Sequence, residues 1–325
     1  MMQLGGGPVL VTGAEGFIGS AVVHALVQAG VQVHASIFDQ STLWRLQDVL
    51  DHIVLNTTDI TDAQAARNLI RRTAPVSVIH LAAAVDTRRD PKLFPRMLEV
   101  NVAGTWHMLE ALRGHSVRAA VFAGTAEEYG DNLAPFAESQ RETPVSPYSW
   151  SKTAATHLVQ TYHRLYDVPA CVIRFSVTYG PGQDNELFIP ALIRACLAGQ
   201  ALAMTSGEQT REFNYVDDIT RGILRAAVTP EASGRVINLS AGQEYRLRDV
   251  AELVLAVTGT SVRPRIGALP YRIHESMRHI CAHEDGQRLL GWRPEVKLQE
   301  GLERTVAWFR EYLTAGIAPS GAVGT

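Results

Sequence analysis

The apolar stretch Pro8-Val9-Leu10-Val11-Thr12 runs straight into Gly13-Ala14-Glu15-Gly16-Phe17-Ile18-Gly19-Ser20. An apolar helical pattern follows through Ala21-Val22-Val23 to about Ala29 and is stopped by Gly30. Strand, glycine loop and helix in that order are what a dinucleotide phosphate site requires. Glycines let the backbone turn tightly and approach a pyrophosphate, which lies at the positive N-terminus of the helix. The spacing is Gly-x-x-Gly-x-x-Gly rather than Gly-x-Gly-x-x-Gly. Such glycines alone could mark a tight turn, but directly behind a first strand they point to dinucleotide binding.

The rest of the chain repeats the alternation. Val31 to Ile37 reads as a second strand, Ile53 to Asn56 as a third and Val76 to Leu81 as a fourth. Ala119 to Gly124 reads as a buried parallel strand and Ala170 to Phe175 as a sixth. Between them Thr61 or Asp62 can cap a helix, and a long helix is expected over Leu93–Leu112. The pattern predicts an α/β fold built on a doubly wound parallel sheet. Ligands of such sheets lie at the carboxyl ends of the strands, where the glycine loop, Ala82-Ala83 and Thr125 all fall. Asp39 is the acid near the end of the second strand, and no Lys or Arg lies between Gly30 and Trp44. That favours NAD and leaves NADP open.

Beyond Tyr179-Gly180-Pro181-Gly182 the character changes, with longer loops and isolated arginines. A helix is expected from Phe188 to about Gly199, and another after Arg211-Glu212-Phe213-Asn214-Tyr215-Val216-Asp217-Asp218, capped by Asp217. Arg235 to Leu239 reads as a strand, Arg246 to Val250 opens a helix, and Arg293 to Leu313 ends in an amphipathic one. The small-residue tail Thr314 to Thr325 reads as disordered. A smaller lobe woven into the first is expected, with boundaries 1–174 and 212–243 for the nucleotide domain and 175–211 and 244–325 for the lobe.

Chemistry enters at Thr125 and at Tyr148-Ser149-Trp150-Ser151-Lys152. Tyr and Lys at this spacing share one face of a helix. An ammonium beside a phenol favours phenolate and lowers its pKa from about 10 toward working pH, making Tyr148 a usable acid/base. Thr125 ends its strand where its hydroxyl could share a substrate oxygen with Tyr148. Composition limits the partners: at 325 residues, 46 % apolar and net charge −3, no basic excess suggests nucleic acid or a membrane surface. No apolar run approaches a membrane span, the first residues do not resemble a signal peptide, and Cys171, Cys196 and Cys281 lack metal spacing. A cytoplasmic protein with reduced thiols and no metal is expected.

Together these residues resemble the extended short-chain dehydrogenase/reductase superfamily, in particular its NAD-dependent sugar-nucleotide epimerases and dehydratases. The resemblance runs from Val9 to about Leu313 and is carried by several stretches in order. They are Thr12-Gly13-x-x-Gly16-Phe17-Ile18-Gly19-Ser20, His80-Leu81-Ala82-Ala83, Asn101-Val102-x-Gly104-Thr105 and Tyr148-x-x-x-Lys152. They continue with Tyr179-Gly180-Pro181-Gly182, the Arg211 to Asp218 segment and Leu290-Gly291-Trp292-x-Pro294. It implies a Rossmann domain with a C-terminal substrate lobe and a homodimer paired through the helices around Trp106, Met108, Leu158 and Tyr162. By the resemblance Tyr148 is the acid/base at the sugar C4 hydroxyl, Thr125 binds the same oxygen, and Lys152 holds the nicotinamide ribose. Gly13, Gly16, Phe17, Ile18, Gly19, Asp39, Asp59, Ile60, Leu81, Ala82, Ala83 and Phe175 would meet the cofactor. Arg211 and Arg272 would grip a nucleoside diphosphate, with Leu187 and Phe188 beside the base.

The chain departs from the pattern in places. Ile37 stands where the second strand usually ends in an acid, and Val177 replaces a usual Asn. Dehydratases often carry Thr-Asp-Glu where this chain has Thr125-Ala126-Glu127, which leaves Glu127 as a candidate in search of a role. The expected activity is transient oxidation at C4 of a nucleotide-linked hexose, permitting epimerisation or dehydration. A 4-ketoreductase consuming NADPH and a non-catalytic dinucleotide sensor are the alternatives.

Overall fold

A computed structural model describes residues 6–314, so the tail from 315 and the first five residues lie outside it. The strands in chain order are β1 (Val9–Thr12), β2 (Val33–Ile37), β3 (Ile53–Thr57), β4 (Ser77–His80), β5 (Ala119–Ala123) and β6 (Ala170–Phe175). Then come β7 (Val177–Tyr179), β8 (Thr210–Tyr215), β9 (Val236–Leu239), β10 (Glu244–Arg246) and β11 (Arg278–His279). The helices are α1 (Phe17–Gln28), α2 (Ala63–Thr73), α3 (Phe94–Met97), α4 (Gly104–Leu112) and α5 (Pro147–Tyr166). They continue with α6 (Phe188–Leu197), α7 (Val216–Ala226), α8 (Leu247–Thr258), α9 (Glu284–Leu290) and α10 (Leu298–Thr314).

A seven-stranded parallel sheet has the order β3-β2-β1-β4-β5-β6-β9. Side chains alternate across it as the strand period requires. Val9 and Val11 of β1 join Val22, Leu26, Ile79, Ile223 and Trp292 on one face. Leu10 joins Ile70, Val78, Met108, Phe122 and Val159 on the other. Each such side chain contributes about 1.5–3 kcal/mol when fully buried. The second, four-stranded sheet gathers β7, β10 and β11 around β8 and packs on its own core of Leu192, Ile193, Val254, Leu302 and Phe309. Because β8 spans Thr210–Tyr215, the expected lobe boundary between 211 and 212 falls inside a strand.

Several local expectations change. The long helix over Leu93–Leu112 is interrupted by a wide π-type turn, Leu98–Ala103, between α3 and α4. Such turns often mark a site where a side chain is re-aimed. Here it aims buried Asn101, whose Oδ1 accepts from Ala84 N at 2.8 Å and whose Nδ2 donates to Ala84 O and Ser151 Oγ, each at 2.9 Å. That clamps the loop after β4 onto α5. Asp62 caps α2, accepting from Gln64 N and Ala65 N. Asp217 is not a cap: α7 starts at Val216, and Asp217 sits in its first turn, where a carboxylate complements the helix dipole. Asp218 is the structural member of that pair. It accepts from Glu295 N and Val296 N at 3.0 Å each, while Trp292 Nε1 donates to its carbonyl at 2.7 Å. Among the proposed dimer residues, Met108 and Tyr162 are buried in the core, and Trp106 is 47 % exposed.

Glu212 of β8 is fully buried, accepting from Cys281 N and Ala241 N. Burial pushes its pKa from 4.5 up to about 7. Between those values the folded state binds more protons than the unfolded one, so its stability falls as pH rises. Glu212→Gln is expected to flatten that part of the profile in urea unfolding; an unchanged slope would show that another group sets it.

Candidate active site

The three glycines behind β1 have separate physical reasons. Gly13 has φ +65°, and a Cβ there would stand 2.7 Å from Ala82 N. A Cβ on Gly19 would stand 1.9 Å from Gly13 O, so this glycine keeps the loop packed on itself. A Cβ on Gly16 would meet only Gly13 O, at 3.2 Å, and otherwise open space. Gly16 also caps α1 without a side-chain bond, and no acid stands in that helix's first turn. The positive end of a 12-residue helix is thus bare and approachable, which fits a pyrophosphate. Gly16→Val fills that approach without meeting backbone closer than Gly13 O. It is expected to abolish NAD binding in calorimetry while the protein stays folded, and unchanged affinity would remove the assignment.

Because the sheet is parallel, its carboxyl ends share one edge. Gly13–Gly19 follow β1, exposed Asp39 follows β2, Asp59 and Ile60 follow β3, and Leu81, Ala82 and Ala83 follow β4. Thr125 follows β5, and Phe175 closes β6. Ile60 is buried beneath Gly104, where a Cβ would come within 2.8 Å of it. Asp59 Oδ1 holds its turn by accepting from Thr61 N and Oγ1. The end of β2 carries a second carboxylate that the sequence reading missed. Glu15, in the glycine loop, accepts from Phe38 N at 2.7 Å, and burial pushes its pKa up. Arg45 ties this region to the smaller lobe, donating to Glu15 O, Gly182 O and Asp184.

Thr125 opens a short turn, Ala126–Tyr129, with a capping box. Its Oγ1 accepts from Glu127 N, and the Glu128 carboxylate accepts from Thr125 N at 2.8 Å. Glu128 is wholly buried and also binds Arg174 Nη2 at 2.6 Å, Arg174 Nε at 3.0 Å and Thr156 Oγ1 at 2.8 Å. Arg174 reaches Glu142 at 2.6 Å and lies over the Tyr129 ring at 4.6 Å. This buried network fixes the Thr125 turn from below.

Opposite it, Ser146 and Ser149 form a capping box at the start of α5, with Pro147 at the first helical position. The helix thereby presents Tyr148 and Lys152, 8 % and 6 % exposed. The expected direction of the Tyr148 pKa is corrected here. Among the protein's own groups burial dominates and pushes it up, Glu127 and Glu128 add to that, and the hydrogen bond with Thr125 pulls it down. Lys152 is lowered by its own burial, with Glu128 opposing. Taking both groups out of water outweighs their spacing on the helix.

A pocket of about 50 Å³ is lined by Glu127, Ser146, Arg211, Arg272, Glu275 and His279, with Thr87 and Arg89 from the loop after β4. Arg211 donates to Thr210 O and Ser276 O at 2.7 Å each and pairs with Glu275. Among the described residues, Arg272 donates to Thr87 Oγ1 at 3.4 Å. Arg89 donates to His274 O at 2.7 Å and leaves Nη1 buried without a partner among the described residues. Leu187 and Phe188 open α6 and are not among the residues lining this pocket. A larger groove of about 940 Å³ lies beside Trp44, Trp308 and Tyr312; neither it nor the smaller pocket is lined by Thr125, Tyr148 or Lys152. No cluster of metal-ligating side chains occurs among the described residues, and no helix there is long and apolar enough to cross a membrane.

The profile of the NAD dependent epimerase/dehydratase family matches residues 9–240. The chain belongs to this family. It is 30 % identical over 318 residues to a UDP-glucuronate 4-epimerase of Thermodesulfobacterium geofontis, covering 94 % of this chain and 97 % of that one. It is 32 % identical over 334 residues to dTDP-glucose 4,6-dehydratase 1 of Escherichia coli, covering 93 % and 92 %. Its structure resembles that of the UDP-glucuronic acid 4-epimerase of Bacillus cereus in complex with UDP-glucuronic acid and NAD. The TM-score is 0.87 at 26 % identity, over 94 % of this chain and 99 % of that one. The chain is accordingly an enzyme of the NAD-dependent sugar-nucleotide epimerase and dehydratase class, as its sequence motifs imply. Family motifs named Tyr148, Lys152 and Arg272 but not Arg89, Glu275 or His279, whose neighbourhood exists only once the smaller lobe folds over the loop after β4.

Proposed function

We propose that the chain oxidises C4 of a nucleoside-diphosphate hexose transiently and restores it after the sugar has changed. The observation that carries this is the hydrogen bond between Tyr148 and Thr125 at the carboxyl edge of the sheet, with Lys152 one turn further along α5 and close to His80 at the end of β4. Gly13–Gly19 and Leu81–Ala83 would hold NAD, which would supply the hydride acceptor and donor for C4. Tyr148 moves the C4 hydroxyl proton, Thr125 orients that oxygen, and Lys152 holds the nicotinamide ribose and offers a cation as proton charge shifts. Arg272 and Arg89 grip the diphosphate by charge-assisted bonds; Arg211, already tied to Glu275, braces them. The NAD preference rests on Asp39 and Glu15 at the end of β2.

The test is turnover of UDP-glucose, UDP-glucuronate and dTDP-glucose with the nicotinamide balance followed. Product without net nicotinamide consumption supports the proposal. Net oxidation of NADPH with product would make the enzyme a 4-ketoreductase, and cofactor binding without any turnover would support a sensor.

We propose a homodimer as well, on α3 to α5. Phe94, Leu98, Trp106 and Trp150 are 42 %, 50 %, 47 % and 38 % exposed there, an apolar surface that a two-fold partner would cover. Light scattering is expected to give twice 35.5 kDa at micromolar concentration; the single mass would overturn the dimer.

A further inference from the structure

The groove beside Trp44 is walled by α1, the segment Gln40–His52 behind β2, the Pro181-Gly182 loop, α7 and the last turns of α10. Trp308 and Tyr312, one turn apart on α10, stack at 4.6 Å, and Trp44 packs on them at 6.2 and 5.9 Å. Most of the charged groups in the walls already have partners. His24 meets Asp48 at 2.9 Å, Arg45 meets Asp184 and Arg221 meets Asp218 at 2.6 Å each, and Asp217 lies 3.8 Å from Arg304. Thr220 is different. A helical threonine commonly gives its hydroxyl to the carbonyl one turn back. Thr220 Oγ1 instead lies buried in this wall, 5 % of the residue being exposed, with no partner among the described residues. The groove is thus a broad aromatic and aliphatic surface with an unmet hydroxyl, fitted to an uncharged apolar segment that brings backbone carbonyls.

We infer that this groove binds residues 315–325 of the same chain, which follow α10 and lie outside the described residues. Three features select this occupant. First, α10 leads to it: Glu311 and Tyr312 line the groove, and the helix ends at Thr314. Second, Ala315-Gly316-Ile317 has the order of a Schellman stop. Gly316 takes the left-handed position, and Ile317 returns against the third residue from the helix end, which is Tyr312. The chain is thereby turned back over the aromatic rings, and Pro319, which cannot continue a helix, offers them a preset apolar ring. Third, these eleven residues carry no charge and, extended, reach about 36–40 Å, several helix diameters. That spans the distance from α10 across to α1, and a backbone carbonyl on the way accepts from Thr220 Oγ1. So bound, the stretch joins α10 of the smaller lobe to α1 and the Gln40–His52 segment of the nucleotide domain and holds Trp44 against α10.

Fluorine NMR of the full chain labelled with fluorotryptophan tests this. Ending the chain at Thr314 is expected to shift the Trp44 and Trp308 resonances and to leave those of Trp106 and Trp150, on α4 and α5, in place. Ile317→Asp puts a charge into the groove without shortening the chain and is expected to reproduce those shifts. Ile317→Leu, which keeps an apolar side chain, is expected to leave the spectrum as it is. Hydrogen exchange at the amides of residues 43–50 should quicken about tenfold in the shortened and Ile317→Asp proteins, the factor that burial of one such side chain supplies. Spectra and exchange that are the same with and without residues 315–325 would overturn the inference. So would Trp44 and Trp308 shifts that follow the concentration of the full chain, since the occupant would then be a second copy.

Discussion

Tyr148→Phe is expected to lower kcat by about 10²–10⁴-fold while NAD still binds. The ring is buried against Ala84 and Met97, so the substitution keeps the packing and removes only the hydroxyl. Accepting the C4 hydroxyl proton requires the phenolate, which burial disfavours and the Thr125 hydrogen bond favours. Lys152→Met should lower activity and also weaken the cofactor, because its proposed role is double. Glu127→Gln separates the chemistries. Elimination should stop while nicotinamide is still reduced at C4, whereas an epimerase exchanging only hydride and hydroxyl proton should lose little. A Tyr148→Phe enzyme turning over a sugar nucleotide at the full rate would end the proposed mechanism.

The second large effect concerns stability. Arg174→Met leaves Glu128 buried beneath the Thr125 turn without its cation, and breaking such a pair costs about 3–5 kcal/mol. Urea unfolding should show the loss as a lower midpoint. Adding Glu128→Leu should recover part of it, since the remaining cost is one of an unpaired buried charge. A fall much below 1 kcal/mol for Arg174→Met alone would mean that water already satisfies the site. Because the pair holds Thr125, turnover should fall in both proteins even where they remain folded.

Much of this was legible in the sequence because it is local. The strand, glycine loop and helix from Val9 to Gln28 follow from glycine conformation and apolar pattern, and β6 matches its reading residue for residue. Tyr148 and Lys152 share a face because helical spacing says so. What was not legible depends on contacts distant along the chain. Glu128 with Arg174, Asn101 with Ala84 and Ser151, and His279 with Glu127 are far apart in sequence, and no periodicity announces them. The Tyr148 pKa went the other way for a related reason: spacing gives the neighbour, but only packing gives the dielectric. Asp217 and Asp218 show the same limit, since adjacent identical residues divided into a helix-dipole partner and a strap anchor.

The turn after β5 divides its labour by position. Ala126 is buried with Tyr129, Phe136 and Cys281, and Glu128 is spent on Arg174, which leaves Glu127 as the member that lines the pocket. An Asp at 126 would have to place its carboxylate in that apolar cluster or rotate the turn off its anchor. A second carboxylate at 126 would therefore need a polar neighbour in place of that cluster, whereas a change of charge at 127 reaches the pocket without disturbing the turn's anchor.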